Sequence, residues 1–235
     1  MRIDKLISSM GIATRREIAL NAKRGLVLVD GVPVRDPSRH IDPEANVVSY
    51  LGEELSYRKF VYVMLNKPEG YVSATDDPRL PYVLELLPER YEKMGLFPVG
   101  RLDRDTTGLM ILTNNGPLAH ALLSPKHHVE KEYRFACERA LSPDAERRFA
   151  EGITIDGGEL CKSARLIADE DRMGGIIVLT EGKYHQIKRM LEAIDNRITR
   201  LERVRFATIA LDAALSRGEF RELTAAEIQI LENQK

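Results

Sequence analysis

The sequence predicts an α+β protein with a small N-terminal domain and a larger C-terminal domain, the latter built on a mixed, largely antiparallel sheet flanked by helices. Two short helices and a hairpin come first, and the many short strands that follow are too irregularly connected for βαβ repeats. A chain of 235 residues with 43% apolar residues is long enough for both cores. We expect residues 1–58 to form the first domain with its linker and residues 59–235 the second.

The first domain begins with a helix whose apolar side chains share one face: Ile3, Leu6, Ile7 and Met10. Gly11 is placed to end that helix, and Thr14 with Glu17 forms a capping box that opens a second one. The stretch "LVLVDGVPV" then alternates around Asp30 and Gly31, which predicts a tight hairpin. The polar segment "YLGEELSYRKF" shows no period and is interpreted as a linker ending near Lys59.

The first half of the second domain starts with the apolar strand "FVYVMLNKP". A short helix around Val83 to Leu87, the strand "LMILT" and the helix "GPLAHALL" follow. The stretch "HHVEKEYRFACERA" alternates like a long strand. Ser142 and Pro143 are then expected to open a helix as N-cap and first helical residue, running to about Glu151.

The second half of this domain contributes most of the remaining strands. Strands fit "ITID", "CKSARLIA" and "GGIIVLTEG", and a helix is expected from His185 to about Ile194. A pair of strands spans Ile198 to Leu211, and Thr224 with Glu227 makes a capping box for a closing helix.

The composition excludes several classes of protein. Lys and Arg number 35 against 36 Asp and Glu, so the whole chain has no charge-driven attraction to nucleic acid. Cys137 and Cys161 have neither zinc nor disulfide-framework spacing, and we expect buried thiols in a reducing compartment. No apolar stretch approaches the ~18 residues of a membrane span, and "MRIDKLISSMG" lacks a signal-peptide core. These features predict a cytoplasmic protein without membrane contact.

The first 39 residues carry a local excess of positive charge, with eight basic residues against four acidic ones. Four of them crowd the second helix and its end, where they would line up phosphate-binding donors: Arg15, Arg16, Lys23 and Arg24. A solvated helix face is the simpler alternative. The stretch resembles the S4 RNA-binding domain (αL-like), which has Arg-x-Asp-Lys at its start, a basic second helix and a hairpin of this kind. The resemblance implies that this domain binds RNA.

The stretch "VGRLDRDTTGLMILTNNG" concentrates two aspartates before an apolar strand, and three interpretations compete. The aspartates could organise a polar loop by capping a turn or pairing with an arginine. Asp103, Asp105 and Thr107 also match the Asp-x-Asp-x-Thr pattern of phosphoaspartyl phosphatases, which use Mg²⁺. The third interpretation is an aspartate nucleophile that needs no metal.

The phosphatase interpretation is disfavoured by the residues just before the aspartates. That motif normally follows a fully buried strand, whereas Gly100 and Arg101 stand there. Asp105 is then expected to organise the loop by pairing with Arg101 or Arg104.

Three patterns in the second domain carry a specific resemblance: "GRLDRDTTGL", "EKEYRF" and "EGKYHQIKRML". In this order and spacing they resemble the pseudouridine synthases. "MLNKPEGYVSATDDP" and "SPKHHVEKEY" narrow the resemblance to the RsuA-type branch, which carries an N-terminal S4 domain. One departure is Ala207 in "RVRFATIAL", where the family often has Gly.

The resemblance implies roles for individual residues. Asp103 would be the catalytic nucleophile, Tyr133 the aromatic that stacks on the target base or moves a proton, and Lys188 the basic partner of Asp103. Leu201 falls where the family has an apolar wall of the site. Five further residues are predicted RNA contacts: Lys67, Arg101, Arg104, His185 and Arg189.

The resemblance also implies the reaction and its partner. Uridine would be converted to pseudouridine without cofactor or metal, by a monomer, at one site of 16S ribosomal RNA in an assembling small-subunit particle, uridine 516 in the usual numbering. We expect no metal site at His127 and His128, because no carboxylate or cysteine stands at ligand spacing from them. Two alternatives stay open: the same reaction on 23S RNA, and an assembly protein that keeps the fold only to bind RNA.

Overall fold

The structure, a computed structural model, describes residues 1–124 and 126–234. Its first domain contains α1 (Ile3–Ser9), α2 (Arg15–Lys23), β1 (Val27–Val29), β2 (Val32–Pro33), β3 (Val48–Tyr50) and β4 (Glu53–Glu54). The Thr14–Glu17 capping box of α2 is confirmed. So is the β1–β2 hairpin, whose turn residues Asp30 and Gly31 have φ of 50° and 77°.

The segment predicted as a linker is partly a strand, which corrects the sequence interpretation. β3 and β4 pair as a hairpin, and the four-stranded sheet has the order β2-β1-β3-β4. Val48 and Tyr50 are buried in the domain core, while β4 is exposed on both faces. A strand of two exposed glutamates has no apolar alternation, so its pairing was invisible in the sequence.

Among the described residues up to 137, the second domain contains two α-helices, one 3₁₀ turn and four strands, and its other elements follow. In chain order they are β5 (Tyr62–Lys67), a 3₁₀ turn (Val83–Leu86), α3 (Glu89–Lys93), β6 (Phe97–Pro98), β7 (Thr107–Thr113), α4 (Gly116–Leu123), β8 (Lys131–Cys137), α5 (Ala145–Glu151), β9 (Thr154–Ile155), a second 3₁₀ turn (Asp156–Gly158), β10 (Glu159–Leu160), β11 (Arg165–Ala168), β12 (Gly174–Leu179), α6 (Gln186–Glu192), β13 (Ile198–Phe206), β14 (Ile209–Ala210), β15 (Phe220–Glu222) and α7 (Ala225–Glu232).

The main sheet confirms the predicted α+β class. Its strand order is β11-β12-β8-β13-β7-β5-β15, with β14 beside β13 and β6 beside β7. The β13–β7 pair is parallel, and every other strand pair between described residues is antiparallel. The sheet is therefore mixed and largely antiparallel, as expected.

Helices cover the sheet in two groups. α5 and α6 pack their apolar side chains, including Phe149 and Met190, against the β8–β11–β12 side. α4 and α7 cover one face of β5 and β7, while the 3₁₀ turn and α3 cover the other. Burial on both faces explains why β5 and β7 are continuous apolar runs without alternation.

Two local predictions differ from the structure, and a third position accounts for the departure from the family pattern at Ala207. The helix expected to open at Ser142 has Asp144 as its N-cap, and Ser142 instead accepts a turn hydrogen bond from Ala145 N. β15 was not predicted, because three half-buried residues show no usable period. Ala207 has φ of 52°, in the left-handed region that favours glycine, at the two-residue turn between β13 and β14.

Candidate active site

The loop from Gly100 to Thr106 carries both aspartates, and hydrogen bonds from a buried lysine hold its backbone in place. Lys67 is fully buried at the end of β5, and its Nζ donates to the carbonyls of Asp103 at 3.1 Å, Arg104 at 3.3 Å and Thr106 at 2.8 Å, and also to that of Pro68. Burial lowers the pKa of Lys67 to about 8. Lys67 is therefore no surface RNA contact, which corrects the prediction, and its role is to hold the loop.

Ser73 and Gly108 fix the position of the loop relative to the sheet. Ser73 Oγ accepts from Leu102 N at 2.9 Å and donates to Leu102 O at 2.7 Å. Gly108 has φ of 100°, and a Cβ there would collide with the backbone of Arg203 on the parallel strand β13. The second glycine of "GRLDRDTTGL", Gly108, is thus required because the strands β7 and β13 approach closely at this point.

Lys188, on the first turn of α6, reaches both aspartates. Its Nζ lies 3.2 Å from Asp103 Oδ2 and 2.6 Å from Asp105 Oδ1. Burial opposes the charge on each partner, yet the hydrogen bond and mutual attraction prevail, so the pKa of Lys188 is raised and that of Asp105 is lowered. The expected pairing of Asp105 with Arg101 or Arg104 was wrong, because the tertiary fold brings α6 over the loop.

The turn before α6 presents two aromatic rings beside Asp103. His185 has φ of 48°, and its Nε2 lies 3.7 Å from Asp103 Oδ1. Its ring stacks on Tyr184 with centroids 3.8 Å apart, and Tyr184 is 71% exposed. Gln186 stabilises this turn by accepting from Lys183 N and donating to Glu181. The sequence reasoning had missed Tyr184, whose only signal was its place beside His185 in a site motif.

A small cavity of about 90 Å³ lies between the loop and the sheet. Asp103 and Tyr133 line it together with Leu201, Ile187 and Thr106. Tyr133 is on β8, Leu201 is on the neighbouring β13, and Asp103 approaches from the loop. A carboxylate, an aromatic ring and apolar walls therefore meet in one place, although they lie up to about a hundred residues apart in the chain.

A larger cavity of about 630 Å³ adjoins the small one and shares Asp103 and Tyr133 with it. Its other lining residues include Arg101, Lys131 and Arg203. Two carboxylates, Asp77 and Glu181, also line it. The cavity is large enough to admit more than a single base.

The remaining predicted RNA contacts have different surroundings. Arg101 is exposed and lines both cavities, whereas Arg104 lines the larger cavity and donates from Nε to Gly70 O at 3.2 Å. Arg189 pairs with Asp156 and with Glu159 and lies outside the lining of both cavities. Because its guanidinium forms ion pairs with carboxylates of the same chain, the structure does not support a direct RNA contact for Arg189.

The basic residues of the N-terminal domain form a separate surface. Arg15, Arg16, Lys23 and Arg24 are all exposed on α2 or at its end. Within residues 1–124 and 126–234, none of the four makes a side-chain hydrogen bond or an ion pair. They are available to a polyanionic partner.

Two further properties concern the described residues only. No three His, Cys, Asp or Glu side chains among them are grouped so that they could share a metal ion. None of their helices has the length and apolarity needed to cross a membrane.

Comparison with known proteins finds a matching family for each of the two domains. The family profile of the RNA pseudouridylate synthases matches residues 61–193, and that of the S4 domain matches residues 1–47. Of curated relatives, the uncharacterized RNA pseudouridine synthase YtzG of Bacillus subtilis is 41% identical over 98% of each chain. Ribosomal small subunit pseudouridine synthase A is 39% identical in Yersinia pestis, over 97% of each chain, and 39% identical in Escherichia coli K12, over 97% of this chain and 98% of that one.

A solved structure also matches over nearly the full length. A crystal structure of a pseudouridylate synthase superposes with a TM-score of 0.69 at 35% sequence identity, covering 98% of this chain and 99% of the other.

Proposed function

The chain belongs to the RNA pseudouridylate synthase family and is a pseudouridine synthase of the RsuA type, and from this we propose that it modifies uridine 516 of 16S ribosomal RNA. The relatives named as acting on the small ribosomal subunit support this choice of RNA. The observation that carries the catalytic part is the meeting of Asp103, Tyr133 and Lys188 at one cavity, with Lys188 Nζ 3.2 Å from Asp103.

The reaction rearranges bonds within a single nucleotide. The N1–C1′ glycosidic bond breaks, the base turns, and a C5–C1′ bond forms, after which C5 loses a proton and N1 holds one. No atoms or electrons are gained or lost overall, so the residues must supply a nucleophile, a place for the base and a route for the proton.

Asp103 is proposed as the nucleophile, attacking either the ribose or the base ring. Its carboxylate is partly exposed to the cavity and faces the ammonium of Lys188. That ammonium offsets the negative charge of the carboxylate beside a polyanionic RNA. Since Lys188 also binds Asp105, the proposed positioning role is to hold the loop against α6 so that Asp103 points into the cavity.

Tyr133 and Leu201 are proposed to hold the uracil ring in the small cavity. Tyr133 supplies a flat face and a hydroxyl, and Leu201 supplies an apolar wall. A base inside an RNA helix cannot reach a carboxylate set in a pocket, so the target nucleotide must leave its stack. Arg101 and the exposed Tyr184 line the larger cavity, and both are proposed to contact the RNA beside the displaced base.

The N-terminal domain is proposed to hold the RNA away from the reacting base. Its exposed basic helix offers phosphate contacts, whereas the net charge of the chain is only -1. A one-sided basic surface suits a structured RNA or an assembling small-subunit particle in the cytoplasm.

The test is to map pseudouridines in ribosomal RNA treated with the purified protein. Naked 16S RNA, naked 23S RNA and partly assembled small subunits are incubated separately, and Asp103→Asn is the control. We expect one new pseudouridine at position 516 of 16S RNA, formed by the parent alone. Modification of 23S RNA only would overturn the 16S assignment, and binding without any pseudouridine in the three substrates would favour an assembly role.

A further inference from the structure

Three buried cations lie around the candidate site without a carboxylate partner. Lys67 is 0%, Arg203 2% and Lys131 9% exposed. No ion pair involves any of them in the part of the chain that the structure describes. Lys67 is accounted for by the loop carbonyls that it binds. Lys131 and Arg203 each donate to only one backbone carbonyl.

Lys131 and Arg203 lie side by side with Tyr133 on the sheet. Arg203 on β13 is the direct cross-strand neighbour of Tyr133 on β8, and Lys131 precedes Tyr133 by two residues. Residues two apart on a strand share a face, and all three residues line the larger cavity. Both cations also approach the ring of Phe206, with Lys131 Nζ at 5.8 Å and Arg203 Cζ at 5.5 Å from its centroid.

The hydrogen-bonding capacity of the two groups is only partly used. Arg203 Nε donates to Leu109 O at 2.7 Å, but its buried Nη2 has no partner. Lys131 Nζ donates to Val129 O at 3.0 Å and carries further protons when charged. A buried donor without a partner costs free energy, and buried like charges without an anion cost more. Burial and the charge of Arg203 together lower the pKa of Lys131 to about 8.

We propose that Lys131 and Arg203 form a binding site for a backbone phosphodiester of the RNA, in the larger cavity next to the pocket for the target base. This inference rests on the proposed function, which supplies an RNA substrate, and adds a defined contact to it. A phosphate brings the negative charge that the two cations lack and acceptors for Arg203 Nη2 and Lys131 Nζ. A neutral uracil carbonyl would satisfy one donor but would leave both charges uncompensated.

The position of the site suggests what it contributes. Asp103 and Tyr133 line both cavities, so a nucleotide with its base in the small cavity extends its sugar and phosphate into the larger one. Holding that phosphate would fix the ribose relative to Asp103 while the base turns. Lys131 and Arg203 are thus proposed as substrate-binding residues of the flipped nucleotide, distinct from the basic helix of the N-terminal domain.

The experiment uses the full chain and compares uridine with uridine 3′,5′-bisphosphate by calorimetric titration. We expect the bisphosphate to bind at least about tenfold more tightly, and Lys131→Met or Arg203→Gln to remove that advantage. Arg205→Gln is the matched control, because Arg205 lies on the same strand but pairs with Glu132 and Glu130. Lys131→Met removes a buried charge and is expected to fold, which thermal unfolding checks.

A second measurement follows the proton on Lys131. Affinity of the parent for the bisphosphate should fall between about pH 7 and about pH 9.5, as Lys131 loses its charge, and should be flat in Lys131→Met. Equal affinity for uridine and its bisphosphate up to millimolar concentration, or an advantage that survives both variants, overturns the phosphate site. Pseudouridine formation by the parent is scored separately, so failure of the phosphate site and failure of the proposed reaction give different results.

Discussion

Lys188 donates a 2.6 Å hydrogen bond to Asp105, which is shorter than its 3.2 Å contact with Asp103. One ammonium therefore ties the loop to α6 through the more exposed carboxylate and also contacts the less exposed one directly. The two carboxylates, only two residues apart, therefore have different proposed roles: Asp105 holds the loop against α6, and Asp103 contacts the substrate. Each of the two can be tested by its own substitution.

Asp103→Asn should reduce pseudouridine formation by at least about a thousandfold, because the amide keeps the size of the side chain but removes the nucleophilic charge. Asp105→Asn should stay within about tenfold of the parent rate, because it weakens only an exposed tether. Single-turnover assays measure both, with RNA affinity as the check that binding is kept. Equal losses in the two variants would contradict the division.

Lys188→Met should flatten the acid dependence of stability. The lowered pKa of Asp105 means that its pairing stabilises the folded chain above the unfolded value near 3.8, and this contribution is lost as the pH falls through the folded pKa. The parent should then lose more free energy of unfolding on acidification through and below that value than Lys188→Met does. Denaturant titrations at several acidic pH values measure it, and Lys188→Arg should behave like the parent. Identical slopes in parent and Lys188→Met would rule out this coupling.

Lys67→Met should destabilise the protein by about 1–3 kcal/mol at neutral pH, because several loop carbonyls lose their donor. With a folded pKa of about 8, the parent binds fewer protons than the unfolded chain from about pH 8 to 10.5. Its stability should therefore rise across that window relative to Lys67→Met, as urea unfolding can show. Lys162→Met, at an exposed lysine, is the control. A variant with unchanged stability and unchanged turnover would show that Lys67 does not hold the loop.

Replacing Arg15, Arg16, Lys23 and Arg24 together with Ala should weaken RNA binding and flatten its salt dependence. Each lost phosphate contact lowers the slope of log affinity against log salt by about 0.7–0.9. The single-turnover rate at saturating RNA should stay near that of the parent, because Asp103 and its neighbours are unchanged. A slope equal to that of the parent would place the helix outside the RNA interface.

Chelation of divalent metal ions should leave the rate of pseudouridine formation unchanged when the RNA is already folded. The chemistry proposed for Asp103 needs a carboxylate and a cation, and Lys188 is the cation at 3.2 Å. EDTA added to a single-turnover assay after RNA folding is expected to leave the rate unchanged. A loss restored by Mg²⁺ would revive the metal-dependent interpretation of the two aspartates.

Much of the fold was predictable because the signals were local. The Thr14 and Thr224 capping boxes, the hairpin at Asp30 and the class of the sheet followed from residues a few positions apart. Elements such as β4 and β15 were missed because they are too short for an apolar period and exist only through pairing with a neighbouring strand.

The sequence alone was sufficient to identify two domains, the family resemblance and the segments that carry Asp103, Tyr133 and Lys188. Only the folded chain decided which charges meet: Lys67 turned inward to bind the loop, Asp105 paired with Lys188, and Arg189 paired with Asp156. It also brought Lys131 and Arg203 to one cavity, where no carboxylate among the described residues forms an ion pair with either. The physical reason is that a motif records residue type and spacing, whereas burial, direction and charge pairing depend on segments far apart in the chain that meet only through packing.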